Sequence, residues 1–420
     1  MFRGAKIIEK ADENKSLIWG LFLSSQILGH AIGNIFLVVL TVLFIITVVV
    51  NRKIVFKKSL LPLLVLFFWG AMSVLWTTNL SETLSGIGIA IGLFAIPLII
   101  SQQSDFTLKE LQKTIGVFSI FLAIYFFVSL CKSAFLFFGD GQTHHFFYHN
   151  LVTLFSNNAI YISLFTSICI VIKINAPNKT LFDWIIISAL ILFLLLLASK
   201  NLLISTFLLL GLSFVFFKKQ KNIPSKSVWA TFGIVLLTLI SFFVFDNPVK
   251  QRFLDETDIK IEEVWNRQDF SDFEFNGTNL RIFQWRIASE MIENDQIDFL
   301  GMGLSNVNYL TEQYFNYYNV YQGYMPVNFH NQYLQTFGEL GFVGLGILVF
   351  IFFLSVYKAL KSKNKFLFLI TLLFAICFLT ESYLNRQKGI MFFSAIYSLW
   401  HCYQNTKGNN NSAHSCIYKH

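Results

Sequence analysis

Residues 181–217 read LFDWIIISALILFLLLLASKNLLISTFLLLGLSFVFF. Two apolar runs, at roughly 181–199 and 201–217, meet at the polar residues Lys200 and Asn201. A helix that crosses a bilayer needs about 20 predominantly apolar residues, and each run approaches that length. The stretch therefore predicts two transmembrane helices joined by a tight turn.

The composition extends this interpretation to the whole chain. Of the 420 residues, 55% are apolar and only 13% are charged, whereas a soluble protein carries about 25% charged residues. So few charges cannot give one or two soluble domains a hydrated surface. The apolar runs are also continuous rather than alternating, which excludes a transmembrane β-barrel. The sequence thus predicts an all-α polytopic membrane protein.

The apolar runs predict about twelve transmembrane helices, with one large loop between the ninth and the tenth. Their approximate bounds are 17–30, 33–50, 60–76, 83–100, 115–138, 158–174, 181–199, 201–217, 228–246, 331–357, 366–383 and 389–403. The predicted organisation is an N-terminal tail (1–16), helices 1 to 9 (17–246), the loop (247–330), helices 10 to 12 (331–403) and a C-terminal tail (404–420). The division between the first two helices depends on the short segment 29–34 alone.

The basic residues indicate the orientation in the membrane. Of the 32 Lys and Arg residues, 22 fall in the two tails and the even-numbered loops. The short odd-numbered loops near residue 31, at 77–82 and at 139–157 contain none. Because Lys and Arg accumulate on the cytoplasmic side, both termini are predicted to be cytoplasmic and the long loop extracytoplasmic. This placement accounts for the net charge of +8 without a nucleic-acid partner.

The long loop differs from every other connection. It carries six basic residues and more than half of the 24 acidic residues. Loops of this length are usually functional or disordered, but Trp265, Trp285 and a run of tyrosines argue against disorder. Since aromatic side chains favour the membrane–water interface, we expect the loop to fold against the membrane surface.

Residues 277–286 of this loop, GTNLRIFQWR, predict the start of a helix. Thr278 or Asn279 is the expected N-cap. The spacing of the apolar residues predicts one buried face. That face comprises Leu280, Phe283, Ile287 and Met291.

Arg281 would then lie in the first turn of this helix, where the helix dipole already concentrates positive charge. Helix stability does not explain a cation there, whereas an anion bound at the helix N-terminus would. Arg286 is a second candidate for the same anion. Its alternative role is a surface pair with Glu290, four residues further on.

His330 stands where the long loop enters the tenth predicted span. Imidazole is the side chain whose ordinary pKa suits proton transfer near neutrality; the alternative is an interfacial histidine that only forms hydrogen bonds. Asn331 and two glutamines make this helix entry unusually polar. Glu339, about 14 Å deeper along the helix, is either a functional intramembrane carboxylate or a tie between helices. The expected close-packing positions are Gly338, Gly341, Gly344 and Gly346.

Lys200 is on the membrane face where the charge rule does not place cations. It must therefore meet a counter-charge or extend to lipid phosphate. Arg386 and Lys388, close to Glu381, form a similar exception near the last extracytoplasmic turn. A further cluster, with metal binding as its less favoured interpretation, consists of His144, His145 and His149.

Over residues 185–400, the chain resembles the O-antigen ligase family, whereas the N-terminal half is similar only in hydropathy and number of spans. His-Asn followed by Glu-x-Gly is the most specific part of the resemblance. The similar motifs, in order, are Ser199-Lys200, Arg281-xxx-Trp285, Gly301-Met302-Gly303, His330-Asn331-Gln332-Tyr333-Leu334-Gln335 and Glu339-Leu340-Gly341.

The resemblance implies a membrane glycosyltransferase that needs neither metal nor cofactor and works at the periplasmic leaflet of the bacterial inner membrane. Its donor would be a glycan linked to undecaprenyl diphosphate, and its acceptor a sugar hydroxyl on lipid A–core.

The family's residue roles transfer by position. His330 would activate the acceptor, and Arg281, together with Lys200 and Arg286, would bind the donor diphosphate. Lys200 stands where the family usually has arginine, and lysine contacts phosphate as a point charge rather than bidentately. The supporting residues would be Asn331, Glu339 and Trp285.

Three alternatives remain open at this point. A polymerase of the same superfamily and a protein O-oligosaccharyltransferase would use the same donor, and the sequence does not separate them from a ligase. A secondary transporter is the alternative from another class. Transporters keep charges near the membrane midplane within broken helices, whereas the uncompensated charges here gather at one membrane face.

Overall fold

The computed structural model describes residues 2–217, 256–294, 296–324 and 328–404, with the isolated positions 233, 250, 251 and 254. Within these ranges the ordered elements are helices, and extended backbone pairs only at an isolated bridge between Phe106 and Tyr403. The predicted all-α class is confirmed for this part of the chain. The ninth predicted span, 228–246, lies outside the described residues.

The first half of the chain forms eleven α-helices within the described residues, most of them apolar. These are α1 (Phe2–Glu13), α2 (Lys15–Ser25), α3 (His30–Asn51), α4 (Leu61–Met72), α5 (Leu80–Ala90), α6 (Gly92–Ser101), α7 (Leu108–Asp140), α8 (Tyr148–Leu151), α9 (Ala159–Asn175), α10 (Leu181–Leu196) and α11 (Lys200–Phe217). The later helices are α12 (Ile261–Asn266), α13 (Gly277–Glu293), α14 (Asn306–Tyr317), α15 (Gln332–Lys361), α16 (Lys365–Cys377) and α17 (Gln387–His401).

Every predicted span except 228–246 overlaps one of these helices. Five helical segments in the described ranges are long and apolar enough to cross a membrane: His30–Asn51, Lys58–Leu75, Leu80–Ser101, Leu108–Asp140 and Gln332–Lys361. Shorter apolar helices are Ala159–Asn175, Leu181–Leu196, Lys200–Ser213 and Lys365–Cys377. The total of twelve spans therefore stays a prediction.

The N-terminal region differs from the expected tail. Residues 1–16 contain α1, which packs against the end of α3: a Cβ added at Gly4 would lie 2.7 Å from the Val50 side chain. The first two predicted spans are separate helices, because the chain turns at Gly29, which has a φ of 105°. The boundary therefore lies at residues 26–29, and residues 30–34 belong to the start of α3.

Helix α15 is broken at Gly341, where φ is 64° and ψ is −163°. The segment 301–303 inserts beside the break. The N–H of Met302 donates to the Gly338 carbonyl, and the N–H of Gly303 donates to the Glu339 carbonyl, each at 2.9 Å. The carbonyl groups near the break are thereby satisfied by the chain itself, as backbone at membrane depth requires.

Residues 256–324 have an aromatic core of their own. Phe283 packs 4.6 Å from Phe270 and 5.2 Å from Phe315, measured between ring centroids. Phe283, Ile287 and Met291 of α13 are fully buried in this core. The predicted apolar face of the helix is therefore confirmed, with Leu280 half-buried at its edge.

These residues pack against one end of the helix bundle, which we call the loop end. It is defined by contacts from residues 256–324 to Ser73, Lys200, Thr380 and Asn385. The opposite end is held by other contacts. One is an ion pair between Lys57 and Asp105 at 2.7 Å, another a hydrogen bond from the N–H of Phe106 to the Cys402 carbonyl. The residues singled out by sequence meet at the loop end.

Candidate functional site

Helix α13 presents Arg281 to the site, but it begins earlier than predicted. Its N-cap is Asn276, whose Oδ1 accepts the N–H groups of Thr278 and Asn279 at 3.1 and 2.8 Å. The prediction of Thr278 or Asn279 as the cap is therefore wrong. Arg281 lies in the second turn rather than the first, so the helix dipole acts on it less strongly than expected.

The Arg281 guanidinium connects α13 to the turn after α16. Its Nη1 donates to the Gly277 carbonyl at 2.8 Å, and its Nε donates to the Thr380 carbonyl at 3.3 Å. These two bonds leave the remaining donors of the fork available to a ligand, since arginine carries five N–H donors.

A cavity of about 290 Å³ opens between α11, α13 and the end of α16. Lys200, Arg281, Trp285 and Thr380 are among the residues that line it. The Lys200 ammonium lies 3.2 Å from Oε2 of Glu256, which also lines the cavity. The counter-charge expected for Lys200 is thus the Glu256 carboxylate.

His330 pairs with a residue that the sequence did not single out as part of the site. Its Nδ1 lies 3.2 Å from Oε2 of Glu381, in the turn between α16 and α17. Glu381 is almost fully buried. Burial on its own would raise the pKa of this carboxyl, but His330, Arg281 and Arg386 together hold it below its ordinary value. In the sequence, Glu381 stood out only because Arg386 and Lys388 lie near it at the last extracytoplasmic turn, where the charge rule does not place cations.

The His330–Glu381 pair borders the cavity. Thr380, which lines the cavity, directly precedes Glu381 in the chain. Trp285, which also lines it, donates from Nε1 to the carbonyl of Phe329 at 3.0 Å, and Phe329 directly precedes His330. The structure therefore brings His330, Arg281, Lys200 and Trp285 to one place.

The backbone around His330 is held from several sides. His330 has a φ of 43°, and its N–H donates to Oδ1 of Asn328 at 2.8 Å. Asn331 is the N-cap of α15, with its Oδ1 accepting from the Leu334 N–H at 3.0 Å. The N–H of Phe329 donates to Oε1 of Gln335 at 3.1 Å. Asn331 thus supports the histidine through the backbone.

Arg286 lies in the aromatic core of residues 256–324 and does not line the cavity. Its Nε bonds Glu290 at 2.7 Å, and its Nη1 and Nη2 donate to the Val264 carbonyl and the Tyr318 hydroxyl, each at 2.9 Å. The guanidinium is buried, so its donors serve the fold. The structure supports the Glu290 pairing and gives no support to phosphate binding by Arg286.

Glu339 belongs to the helix break rather than to the cavity. Its Oε1 accepts from Nε2 of Gln335 at 2.7 Å, and it is buried. The close-packing prediction holds at Gly338, where an added Cβ would lie 2.8 Å from Val307, and at Gly341. It is not supported at Gly346, where none of the residues that the structure describes lies within 4 Å of an added Cβ.

Each of the three clustered histidines contacts a residue within the same part of the chain. His145 pairs with Asp140 at 2.7 Å, His144 packs on the His145 ring at 4.1 Å, and Nδ1 of His149 accepts from the Ala159 N–H at 3.2 Å. Among the residues that the structure describes, no group of three or more His, Cys, Asp or Glu side chains is placed to hold a metal ion.

Part of the chain matches a known protein family. Residues 185–349 match the family model described as O-Antigen ligase. This part of the chain is similar to the O-antigen ligase family. The match includes Lys200, Arg281, Trp285 and His330, and it confirms the resemblance noted from the sequence. No curated protein matches the chain.

The family match and the apolar helices together indicate a bacterial integral membrane protein. The match supports a membrane glycosyltransferase of the O-antigen ligase and polymerase type. Glu381 lies beyond the matched range, so its pairing with His330 is visible only in the structure.

Proposed function

We propose that this protein transfers a glycan from undecaprenyl diphosphate to a hydroxyl of lipid A–core at the periplasmic face of the inner membrane. The observation that carries the proposal is the His330–Glu381 pair at the border of the cavity that contains Lys200 and Arg281. A base beside cations is the arrangement that such a transfer needs, since the acceptor must lose a proton while the donor releases a diphosphate.

In this proposal His330 is the general base. The Glu381 carboxylate accepts from Nδ1–H of His330 and so fixes the tautomer in which Nε2 carries a lone pair. Nε2 takes the proton of the acceptor hydroxyl as its oxygen attacks the anomeric carbon of the donor sugar. Glu381 then stabilises the imidazolium that forms, in the way that a buried carboxylate does in hydrolase triads.

Arg281 and Lys200 would hold the donor diphosphate. As the bond from the anomeric carbon to the diphosphate oxygen breaks, the electron pair passes to the diphosphate, and nearby cations offset its charge. The free donors of Arg281 suit this task, and Lys200 adds a point charge. With side-chain cations in that role, we propose that the reaction needs no metal ion.

The helix break of α15 bears on the transporter alternative. Transporters use unwound helices to expose backbone groups to ions or substrates. Here the carbonyls of Gly338 and Glu339 are occupied by the N–H groups of Met302 and Gly303. The break therefore serves to dock the segment 301–303.

A deletion strain tests the proposed function. In a strain that makes a lipid-linked O-polysaccharide, loss of the protein should leave lipid A–core without polymer, while polymer accumulates on undecaprenyl diphosphate. Restored polymer on lipid A–core after complementation by the wild type, and not by a His330→Ala variant, would support the ligase. A single repeat unit on lipid A–core in the deletion strain would instead indicate a polymerase. Unchanged surface glycan would contradict both.

A further inference from the structure

Helix α17 begins with two cations that no sequence motif accounts for. Arg386 is its N-cap, and Lys388 lies in its first turn. The Arg386 side chain is exposed, and it forms no hydrogen bond or ion pair with the described residues. Positive charges are unfavourable at a helix N-terminus, where the free N–H groups are already positive. Helix stability therefore does not explain this pair.

Burial of the charge is a second unfavourable feature of Lys388, whose side chain is only 6% exposed. Its ammonium donates to Oδ1 of Asn157. Asn157 is itself fixed by bonds from Nδ2 to the Ile27 carbonyl at 2.9 Å and the Tyr125 hydroxyl at 3.0 Å. A neutral amide cannot neutralise the charge, and no carboxylate among the described residues pairs with Lys388. A buried cation without a counter-ion is costly.

Arg386 lies near the partner of the proposed base. Its charge acts on Glu381, the partner of His330, and also on Lys388 and on the exposed His30. In the chain, Thr380, whose carbonyl accepts from Arg281, precedes Glu381, and Arg386 follows it after a short turn. Arg281 and Arg386 are therefore two separate cations that act on the His330–Glu381 pair, and Lys388 lies close to Arg386.

Arg386 has more side-chain donors left for an anion than Lys200 and Arg281 have. Lys200 already faces Glu256, and Arg281 already bonds two carbonyls. The guanidinium of Arg386 has no such partners among the described residues. In a displacement at the anomeric carbon, the acceptor oxygen approaches from the side opposite to the leaving diphosphate. With the diphosphate at Arg281, the acceptor enters away from Arg281, and Arg386 is the second arginine whose charge acts on Glu381.

We propose that Arg386 and Lys388 bind a phosphate group of the acceptor glycolipid and thereby place its hydroxyl at His330. This inference rests on the proposed function, since it assigns a substrate group to the same site. Arg386 supplies the bidentate contact that arginine makes with phosphate, and Lys388 supplies a partly desolvated charge. The acceptor would thus be selected for its negative charge as well as for its sugar.

The test uses the full-length protein in detergent, with undecaprenyl diphosphate-linked glycan as donor and two acceptor preparations. One is lipid A–core with its phosphates, and the other is the same lipid after removal of the phosphates with hydrofluoric acid. Arg386→Gln is compared with Arg52→Gln, a matched loss of an exposed arginine at the opposite end of the bundle. Arg386→Gln should raise the KM for the phosphorylated acceptor about 10-fold or more, since a charge-assisted bond is lost.

For the dephosphorylated acceptor, wild type and Arg386→Gln should have the same KM, and the donor KM should stay within about twofold. Arg386→Lys should recover part of the loss. A KM increase of equal size for both acceptors, an increase for the donor instead, or no increase at all would each overturn the inference. If the wild type transfers glycan to neither acceptor, the proposed function itself has failed.

Discussion

Nδ1 of His330 lies 3.2 Å from Oε2 of Glu381, although 51 residues separate them in the sequence. His330 lies at the entrance of α15, and Glu381 lies in the turn before α17. The pair joins the segment that holds Trp285 to the turn that holds Arg281. This hydrogen bond thus connects two segments that contact Trp285 and Arg281, two residues that line the cavity.

Removing the imidazole should abolish turnover without abolishing donor binding. A positioned general base contributes about 10²–10⁴ in rate, so His330→Ala should lose turnover by that factor. Binding of the lipid-linked donor, measured in detergent, should remain near the wild-type level. His144→Ala, an exposed histidine in another loop, is the matched control. Turnover near the wild-type rate in His330→Ala would refute the general-base role.

Glu381→Gln should change how thermal stability depends on pH, because it removes the charge of the carboxylate. The pKa of this carboxyl lies below the ordinary value of 4.5, so it is ionised at neutral pH and stabilises the folded state there. That contribution is full above the ordinary value and is lost as pH falls through the lowered pKa. Glu381→Gln should therefore unfold at a lower temperature than wild type at pH 7, and the difference should shrink towards pH 4.

The same variant should lower turnover by about 10-fold or more, because a glutamine cannot stabilise an imidazolium by charge. Glu381→Asp, which keeps the charge, should recover more turnover than Glu381→Gln. If Glu381→Gln keeps the wild-type rate and the wild-type pH dependence of unfolding, the carboxylate is only a packing element.

Loss of the charge at Lys200 and loss of the charge at Glu256 should change the donor KM in opposite directions. Lys200→Gln should raise the donor KM, whereas Lys200→Arg should retain or improve activity because a guanidinium adds donors for phosphate. Glu256→Gln should lower the donor KM, since its carboxylate faces the Lys200 ammonium at 3.2 Å and competes with the diphosphate. Equal donor KM values for all three variants would show that Lys200 only pairs with Glu256.

The sequence predicted those features that depend on local pattern. Hydropathy located the helices outside 228–246, and the apolar spacing in α13 identified the buried face with Phe283, Ile287 and Met291. The motif around His330 and Arg281 placed both residues at the loop end. Each of these features is encoded within one helix or one turn.

The features that the sequence did not predict depend on contacts between distant segments. Glu381 meets His330 only because α15 and α16 pack side by side. Arg286 has the same local pattern as a phosphate ligand, yet the fold directs it to Tyr318 and Glu290. The true cap of α13, Asn276, was missed because Thr278 and Asn279 are equally good capping residues.

Topology is open to direct measurement. The loop end should be periplasmic, and both termini should be cytoplasmic, because 22 of the 32 basic residues favour one side. In a cysteine-free background, a membrane-impermeant maleimide applied from the periplasm should label Glu274→Cys and spare Lys53→Cys, both at exposed positions. The reverse pattern would invert the site with respect to the membrane and contradict a periplasmic transferase.

Two glycines of α15 should respond in opposite ways to alanine. Gly341 has a φ of 64°, and an added Cβ would lie 2.0 Å from the Phe299 carbonyl oxygen, which is backbone and cannot rotate away. Gly341→Ala should therefore cost about 3 kcal/mol or more in strain and displaced backbone. Gly346 lies in the same helix, with no described residue within 4 Å of an added Cβ, and Gly346→Ala should be neutral or stabilising by about 0.5–1 kcal/mol. Thermal unfolding in detergent measures both effects. Equal unfolding temperatures for the two variants would mean that the backbone of Phe299 and Leu300 does not lie against the helix break.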